Sequence, residues 1–334
     1  MNNKNRKEIA QDTLRYMNEG KYLYQGSWVD FSSAQQTSED QSETITPEKG
    51  LQLLARFRAE AGAAKLRMEM QAERGAGQDE IGSAQNRLEQ QAEVEVEQVL
   101  IGSESAQSRL ESEPADVELS TASIRVAGEA TVRTILDLAE AGTKQVGVLN
   151  FASAKNEGGG FLNGAMAQEE SLAASSGLYA TQLRNPDYYK TNRNTPSMMY
   201  THYAIYSPDV VFFRDEHFEL LAEPVTASVL TLPAVNYGQV LLKGEDAAQS
   251  KQIMQERMEL ALALFAASGD RHLVLGAYGC GVFRNNPLEV ARWWKELLEQ
   301  EGYGLLFEQI VFAVLDHSKT KETIRAFEDV FGTA

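Results

Sequence analysis

Gln145-Val146-Gly147-Val148-Leu149-Asn150-Phe151 reads as a buried strand, and the glycine loop and helix start behind it decide the fold. The chain passes through Gly158-Gly159-Gly160 and enters a helix at about Ala167, opening with Gln168-Glu169-Glu170. A strand, a glycine loop and a helix in that order form half of a parallel β-α-β unit, and the same rhythm continues on both sides. Upstream, Ala130 to Glu140 has helical periodicity. Downstream, Ala167 to Leu183 reads as one helix, and Met199 to Tyr206, Val210 to Arg214 and Ala227 to Leu232 read as strands. A helix from Asp246 to Ala267 precedes a strand at His272 to Ala277. A second glycine loop then leads to a helix from Pro287 to Glu299, a strand from Gln309 to Leu315 and a helix from Thr320 to Val330. The expected class is α/β, with a mixed, largely parallel sheet flanked by helices.

Three zones divide the chain. Residues 1–57 are expected to form an N-terminal extension packed on the main domain. It holds a helix from Arg6 to Asn18, β-prone stretches at Tyr22 to Tyr24 and Trp28 to Phe31, a polar loop from Ser32 to Thr44, and a helix start at Thr46-Pro47-Glu48. Residues 58–118 are expected to be an acidic insertion, helical or disordered. No aromatic residue occurs between Phe57 and Phe151, and Ala59 to Glu113 is rich in Ala, Glu, Gln, Ser and Arg. With so little apolar area, that segment is expected to be dispensable for folding. Residues 119–334 carry the α/β pattern.

Composition excludes several classes. The net charge of -17 is the wrong sign for a sequence-independent DNA binder or for docking on an anionic membrane. No apolar run is long enough for a membrane span, and Met1 to Ala10 has no apolar signal core. The lone cysteine, Cys280, cannot form an internal disulfide and fits a reducing, cytoplasmic setting. Four histidines without ligand spacing, and a single cysteine, leave no pattern for a structural zinc.

The chemistry is expected beyond the carboxyl ends of the strands, where open α/β sheets bind ligands. Two glycine loops sit there, Gly158-Gly159-Gly160 and Gly276-Ala277-Tyr278-Gly279-Cys280-Gly281-Val282-Phe283. Successive glycines let backbone N–H groups converge on an anion, which suits a phosphate or diphosphate. Neither loop has the P-loop or the dinucleotide fingerprint. Glu169 and Glu170 open the helix after the first loop, about 100° apart around its axis. A carboxyl beside a bound diphosphate keeps its proton to higher pH and can act as a general acid. Cys280 lacks a nearby histidine and reads as a small buried side chain rather than a nucleophile.

Gly158-Gly159-Gly160, a seven-residue spacer and Gln168-Glu169-Glu170 together resemble the signature of the poly(ADP-ribose) glycohydrolases, enzymes built on a macrodomain. Asn150-Phe151-Ala152-Ser153-Ala154 before the motif, and Ser175-Ser176-Gly177-Leu178-Tyr179 after it, are similar to the bacterial form of the family. The resemblance covers about Ser120 to Ala334 plus the N-terminal helix. It departs at Glu157, where bacterial members often have proline, and at Ala174, where many carry arginine.

The resemblance implies a macrodomain-like fold and an O-glycosyl hydrolase that releases ADP-ribose from poly(ADP-ribose). Glu170 would be the acid–base and Glu169 and Gln168 would orient the distal ribose. The backbones of Gly158, Gly159 and Gly160, and of Gly279, Cys280, Gly281 and Val282, would hold the diphosphate, and Phe283 would pack on the ribose. No cofactor or metal is implied. The partner is the substrate itself, ADP-ribose or an ADP-ribosylated protein, with no sequence-specific nucleic acid, no membrane, and a monomeric chain. Three alternatives stand beside this: removal of single ADP-ribose units from protein or nucleic acid, a silent ADP-ribose reader, and an interaction protein acting through the acidic insertion.

Overall fold

The computed structural model describes residues 2–76 and 121–332. Its centre is a seven-stranded sheet in the order β3-β6-β7-β5-β8-β9-β4. The strands are β3 (Glu43–Ile45), β4 (Ser123–Ala127), β5 (Val146–Ala152), β6 (Ala204–Arg214), β7 (Leu220–Pro233), β8 (His272–Leu275) and β9 (Gln309–Ala313). The pairings β7/β5, β5/β8, β8/β9 and β9/β4 are parallel, whereas β3/β6 and β6/β7 are antiparallel. The sheet is therefore mixed and mostly parallel, as expected. A separate hairpin, β1 (Lys21–Tyr24) with β2 (Ser27–Asp30), lies in the N-terminal part.

β5 is central because it is apolar along nearly its whole length. Val148 and Leu149 are fully buried, with β7 on one side and β8 on the other. Helices cover both faces. Among them are α4 (Thr131–Glu140), α5 (Gln168–Ser175), α6 (Leu178–Leu183), α7 (Pro186–Asn194), α8 (Tyr237–Lys243), α9 (Ala247–Ser268), α10 (Pro287–Lys295) and α11 (Glu322–Phe331). α9 is the longest of these and is capped at both ends. Asp246 accepts from the N–H groups of Ala248 and Gln249, and Gly269 closes the helix in the left-handed region.

The N-terminal part belongs to this architecture. α1 (Asn3–Glu19), α2 (Ser32–Gln41) and α3 (Pro47–Ala76) are helices, and β3 adds an antiparallel strand beside β6. The stretch Ser32 to Thr44 is thus not a loop. Its helix is hard to see because its inward positions are polar: Gln35 donates to Gly177 O at 3.2 Å, and Ser38 donates to Pro208 O at 2.6 Å. The expected boundary at 57/58 falls inside α3. Leu54, Phe57, Ala61 and Ala64 are buried, Arg58 pairs with Glu259 of α9, and Lys65 donates to Gln300 O. Residues 59–72 are therefore helix, packed on the domain through Ala61, Ala64 and Lys65. The rest of the expected insertion, 77–118, lies outside the described residues.

Other differences are local. The helix expected from Ala167 to Leu183 breaks at Ser176-Gly177, where Ser176 bridges Phe212 and Gly177 N–H donates to Val211 O. The strand expected from Met199 begins only at Ala204, and from there it joins the run at Val210 to Arg214 as the single strand β6, with a register shift between Ser207 and Val210. β4, α7 and α8 are additional elements, too short and weakly patterned to stand out in the sequence.

Phe57→Ala tests whether α3 is integral. Removing a ring that is only 5% exposed should cost about 3–5 kcal/mol in chemical denaturation. A cost below about 1 kcal/mol, typical of surface changes, would show α3 to be peripheral.

Candidate active site

β5 stays paired with β8 only through Val148, opposite Val274, so its last residues lose a neighbour on that side. The Gln168 side chain takes that place. Its Oε1 accepts from Phe151 N–H at 2.9 Å, and its Nε2 donates to Leu149 O at 2.9 Å. Both ends of the Gln168 amide thus hydrogen-bond strand backbone. Gln168 ties the start of α5 to the end of β5.

Glu169 is the buried member of the motif, 3% exposed. Its Oε1 accepts from Asn150 Nδ2 and Gln182 Nε2, each at 3.2 Å, and its Oε2 accepts from Ser153 N–H at 2.6 Å. Burial pushes its pKa up to about 8 against these three donors, which lower it, and neighbouring Glu170 raises it further. Gln182 also accepts from Gly158 N–H at 2.7 Å, so one side chain joins Glu169 to the glycine loop. Asn150 and Gln182 both approach Thr231 on β7. Tyr188 donates to Ser153 O at 3.3 Å from beneath.

Glu170 is half-buried, and its Oε1 accepts from Gly160 N–H at 2.9 Å. The glycines are dictated by this closeness. Gly158 and Gly159 have φ of +60° and +61°. A Cβ on Gly159 would overlap Glu170 Oε1 and come within 3.0 Å of Glu169 Oε2, and one on Gly158 would strike the Phe161 ring. The N–H groups of all three glycines have protein acceptors: Gln182 for Gly158, Asn156 O for Gly159 and Glu170 for Gly160. The expected anion cradle in this loop is thus replaced by a mould around two carboxylates.

The second loop is built differently. Tyr278 donates to Leu232 O, Asn285 Nδ2 donates to Val235 O and Gly279 O, and Gly238 N–H donates to Phe283 O. These bonds fix both flanks of the loop against the end of β7. Between them, Gly281 is exposed and Val282 is 84% exposed. Among the described residues, no acceptor takes the N–H of Gly281, Val282 or Phe283. The Phe283 ring is half-buried, 6.1 Å from that of Tyr200, and Tyr200 has a left-handed φ of +58°. Phe151 and Tyr278, 5.8 Å apart, pack the bases of the two loops together. The Cys280 thiol is shielded and its pKa is pushed up to about 12 by burial, which suits a packing residue.

The structure thus brings Glu169, Glu170 and Gly158 to Gly160 into one cluster and sets the 279–283 loop on the neighbouring strand end. Sequence reasoning missed the roles of Asn150, Gln182 and Thr231. Asn150 carried a signal, since it is a fully buried amide in an apolar strand. Gln182 carried none, because it sits twelve residues beyond Glu170 on another helix. At Glu157, Arg193 Nη2 donates to both carboxylate oxygens and Arg193 Nε donates to Lys155 O, which ties down the start of the glycine loop. Among the described residues there is no group of three or more His, Cys, Asp or Glu side chains that could hold a metal ion. No helix among them is long and apolar enough to cross a membrane.

Residues 10–215 match the family profile described as microbial-type PARG, catalytic domain. That span includes the first glycine loop and the three-residue motif but not the second loop. No curated protein matches the chain. Among solved structures, poly(ADP-ribose) glycohydrolase from Thermomonospora curvata is 30% identical, with a TM-score of 0.77, covering 98% of this chain and 99% of that one. The same enzyme bound to the inhibitor ADP-HPD is similar at 29% identity and a TM-score of 0.76. Poly(ADP-ribose) glycohydrolase from Deinococcus radiodurans in complex with ADP-ribose is 34% identical, with a TM-score of 0.68, covering 88% of this chain and 96% of that one.

Two measurements probe the cluster. Gly159→Ala forces a side chain onto the carboxylates, so any reaction that uses them should slow by about 10²-fold or more, the usual range for a displaced acid–base group, while the melt stays cooperative. Near-normal turnover would show that the two carboxylates tolerate displacement. Glu169 gives a pH signature. Its folded pKa of about 8 lies above the ordinary 4.5, so the folded form holds the proton more tightly. The resulting stabilisation is full below about pH 4.5 and is lost as pH rises through about 8. The stability of wild type relative to Glu169→Gln should therefore fall across that window in chemical denaturation. A flat difference would mean that Glu169 titrates normally.

Proposed function

The chain belongs to the microbial-type poly(ADP-ribose) glycohydrolase family, and from that premise we propose that it cleaves the ribose–ribose O-glycosidic bond of poly(ADP-ribose) with Glu170 as the single acid–base. One observation carries the assignment. Glu170 is anchored through Oε1 by Gly160 N–H, while among the described residues its other oxygen has no partner, at the carboxyl end of the sheet. A carboxyl held at one oxygen and open at the other is aimed without being occupied.

The reaction follows from that geometry. The Glu170 carboxyl gives its proton to the oxygen leaving the anomeric carbon of the terminal unit's distal ribose. The C–O bond breaks, and positive charge develops on the ribose. The substrate's own diphosphate offsets that charge. The Glu170 carboxylate then takes a proton from the attacking water, whose oxygen bonds to the anomeric carbon. ADP-ribose leaves, and the shortened chain keeps a free hydroxyl. One carboxylate serves twice, unlike the paired-carboxylate glycosidase scheme.

The supporting roles divide between the loops. The N–H groups of Gly281, Val282 and Phe283 receive the diphosphate, and Phe283 packs beside the ribose. Glu169 accepts three protein hydrogen bonds and, with its pKa pushed up to about 8 by burial, holds its proton near neutral pH. Its O–H is then available to a ribose hydroxyl, so Glu169 orients the sugar from a rigid seat. Gly158 to Gly160 shape the pocket around the carboxylates. The anionic ligand must be gathered locally, since a chain of net charge -17 repels it at long range. All of these groups come from one chain, so a monomer suffices, and the lone cysteine suits a reducing cytoplasm.

Glu170→Gln keeps the shape of the side chain and its bond to Gly160 N–H but cannot exchange a proton. Single-turnover release of ADP-ribose from a poly(ADP-ribosyl)ated protein should fall by ~10²–10⁴-fold. Calorimetry should show ADP-ribose binding retained. Cleavage near the wild-type rate would move the acid–base role to another residue.

A further inference from the structure

The N-terminal helix α1 is pinned against the catalytic helix. Asn3 Nδ2 donates to Asn163 O at 3.2 Å and to Gly164 O at 3.1 Å, just beyond the glycine triplet. Thr13 Oγ1 donates to Ala174 O of α5 at 2.7 Å. Gly164 is shaped for this contact: its φ is +75°, and a Cβ there would meet Asn3. α1 is thus fixed to both sides of Glu170, and Arg6 lies between the two anchor points.

Arg6 and Glu170 line one small depression, walled by Ile9, Phe161, Met166 and Phe218. Arg6 Nε is shielded from solvent and has no hydrogen-bond partner. Among the described residues, its guanidinium forms no ion pair, with Glu170 or with any other carboxylate. Arg58 and Arg193 have carboxylate partners, Glu259 and Glu157. Arg214 and Arg257 have none but donate to backbone carbonyls, whereas the Arg6 side chain makes neither kind of contact among the described residues. A partly desolvated cation without a counter-ion is costly unless something anionic completes it.

The reaction says what that anion is. Glu170 and Arg6 line the same depression, so if Glu170 protonates the leaving oxygen, the leaving group comes close to Arg6. In a chain, the leaving oxygen belongs to the next ADP-ribose unit, which carries its own diphosphate. We propose that Arg6, with the Phe218 ring beside it, forms a leaving-side subsite that grips a phosphate of the penultimate ADP-ribose unit. A guanidinium meets phosphate oxygens through two parallel N–H donors, so register as well as charge is set there. The subsite makes this chain prefer polymer over substrates whose leaving group bears no phosphate. The inference rests on Glu170 as the proton donor and goes beyond it by assigning the other side of the scissile bond.

The test compares two substrates with the full chain: poly(ADP-ribose), and an ADP-ribosyl glycoside of a simple aliphatic alcohol, which has the same bond but no phosphate on the leaving side. Arg6→Gln should lower the ratio of chain to glycoside kcat/KM by about 10-fold or more, the scale of one charge-assisted contact. Arg6→Lys should recover part of that ratio, and raised salt should compress it in wild type. A ratio that Arg6→Gln does not move overturns the subsite, including the case in which both substrates slow equally because α1 has shifted. A wild-type protein that cleaves neither substrate overturns the hydrolase reading as well, and is recognised because the failure precedes any change at Arg6.

Discussion

A buried carboxyl group organises this site. Glu169 sits in an environment where an ionised or unpartnered carboxyl is expensive. Its three donors come from three places in the chain: Asn150 at the end of the central strand, Ser153 in the loop after it and Gln182 on α6. Satisfying Glu169 therefore sets the loop, the helix and the strand relative to one another. Glu170, next in sequence, inherits its place from that arrangement.

The same economy of contacts explains the glycine triplet. Gly159 lacks a side chain because two carboxylates occupy the space a Cβ would need, and Gly160 lends its N–H to one of them. Gln168 completes the frame by pairing with the edge of β5 where β8 has diverged. The crevice exists because the sheet opens there, and an amide side chain keeps the opened edge hydrogen-bonded. Two neighbouring strand ends then carry distinct tasks. One loop holds acids in place, and the other, anchored through Tyr278 and Asn285, leaves its amides free.

The N-terminal residues are part of this frame rather than a covering. β3 extends the sheet, α3 packs into the core through Phe57 and Ala61, and α1 buttresses α5 through Thr13. The family match beginning at residue 10 agrees with that integration. Long-range charge works against an anionic substrate, so in the proposed reading recognition falls to short-range groups: oriented N–H donors and the Arg6 guanidinium, whose influence is felt within a Debye length.

Much of this was legible in the residues themselves. The apolar run at 146–151, the glycine triplet and the adjacent Gln-Glu-Glu are local patterns, and local patterns report strand, turn and helix start directly. They sufficed for the sheet class, the enzyme family and the pair of carboxylates. What they could not convey was direction. Two adjacent glutamates look equivalent in sequence, and only packing turns one inward among three donors and leaves the other at the crevice. The helix at Ser32 to Gln41 was invisible because its buried positions are polar and satisfied by distant carbonyls. Gln182, Thr231 and Arg6 lie far from the motif in sequence and reach it through the folded chain alone. Sequence by itself determined which chemical groups are present and which elements carry them. The tertiary structure decided which groups are spent on the fold and which stay free for a ligand, because each hydrogen bond and each buried charge is settled by neighbours that the chain brings together from afar.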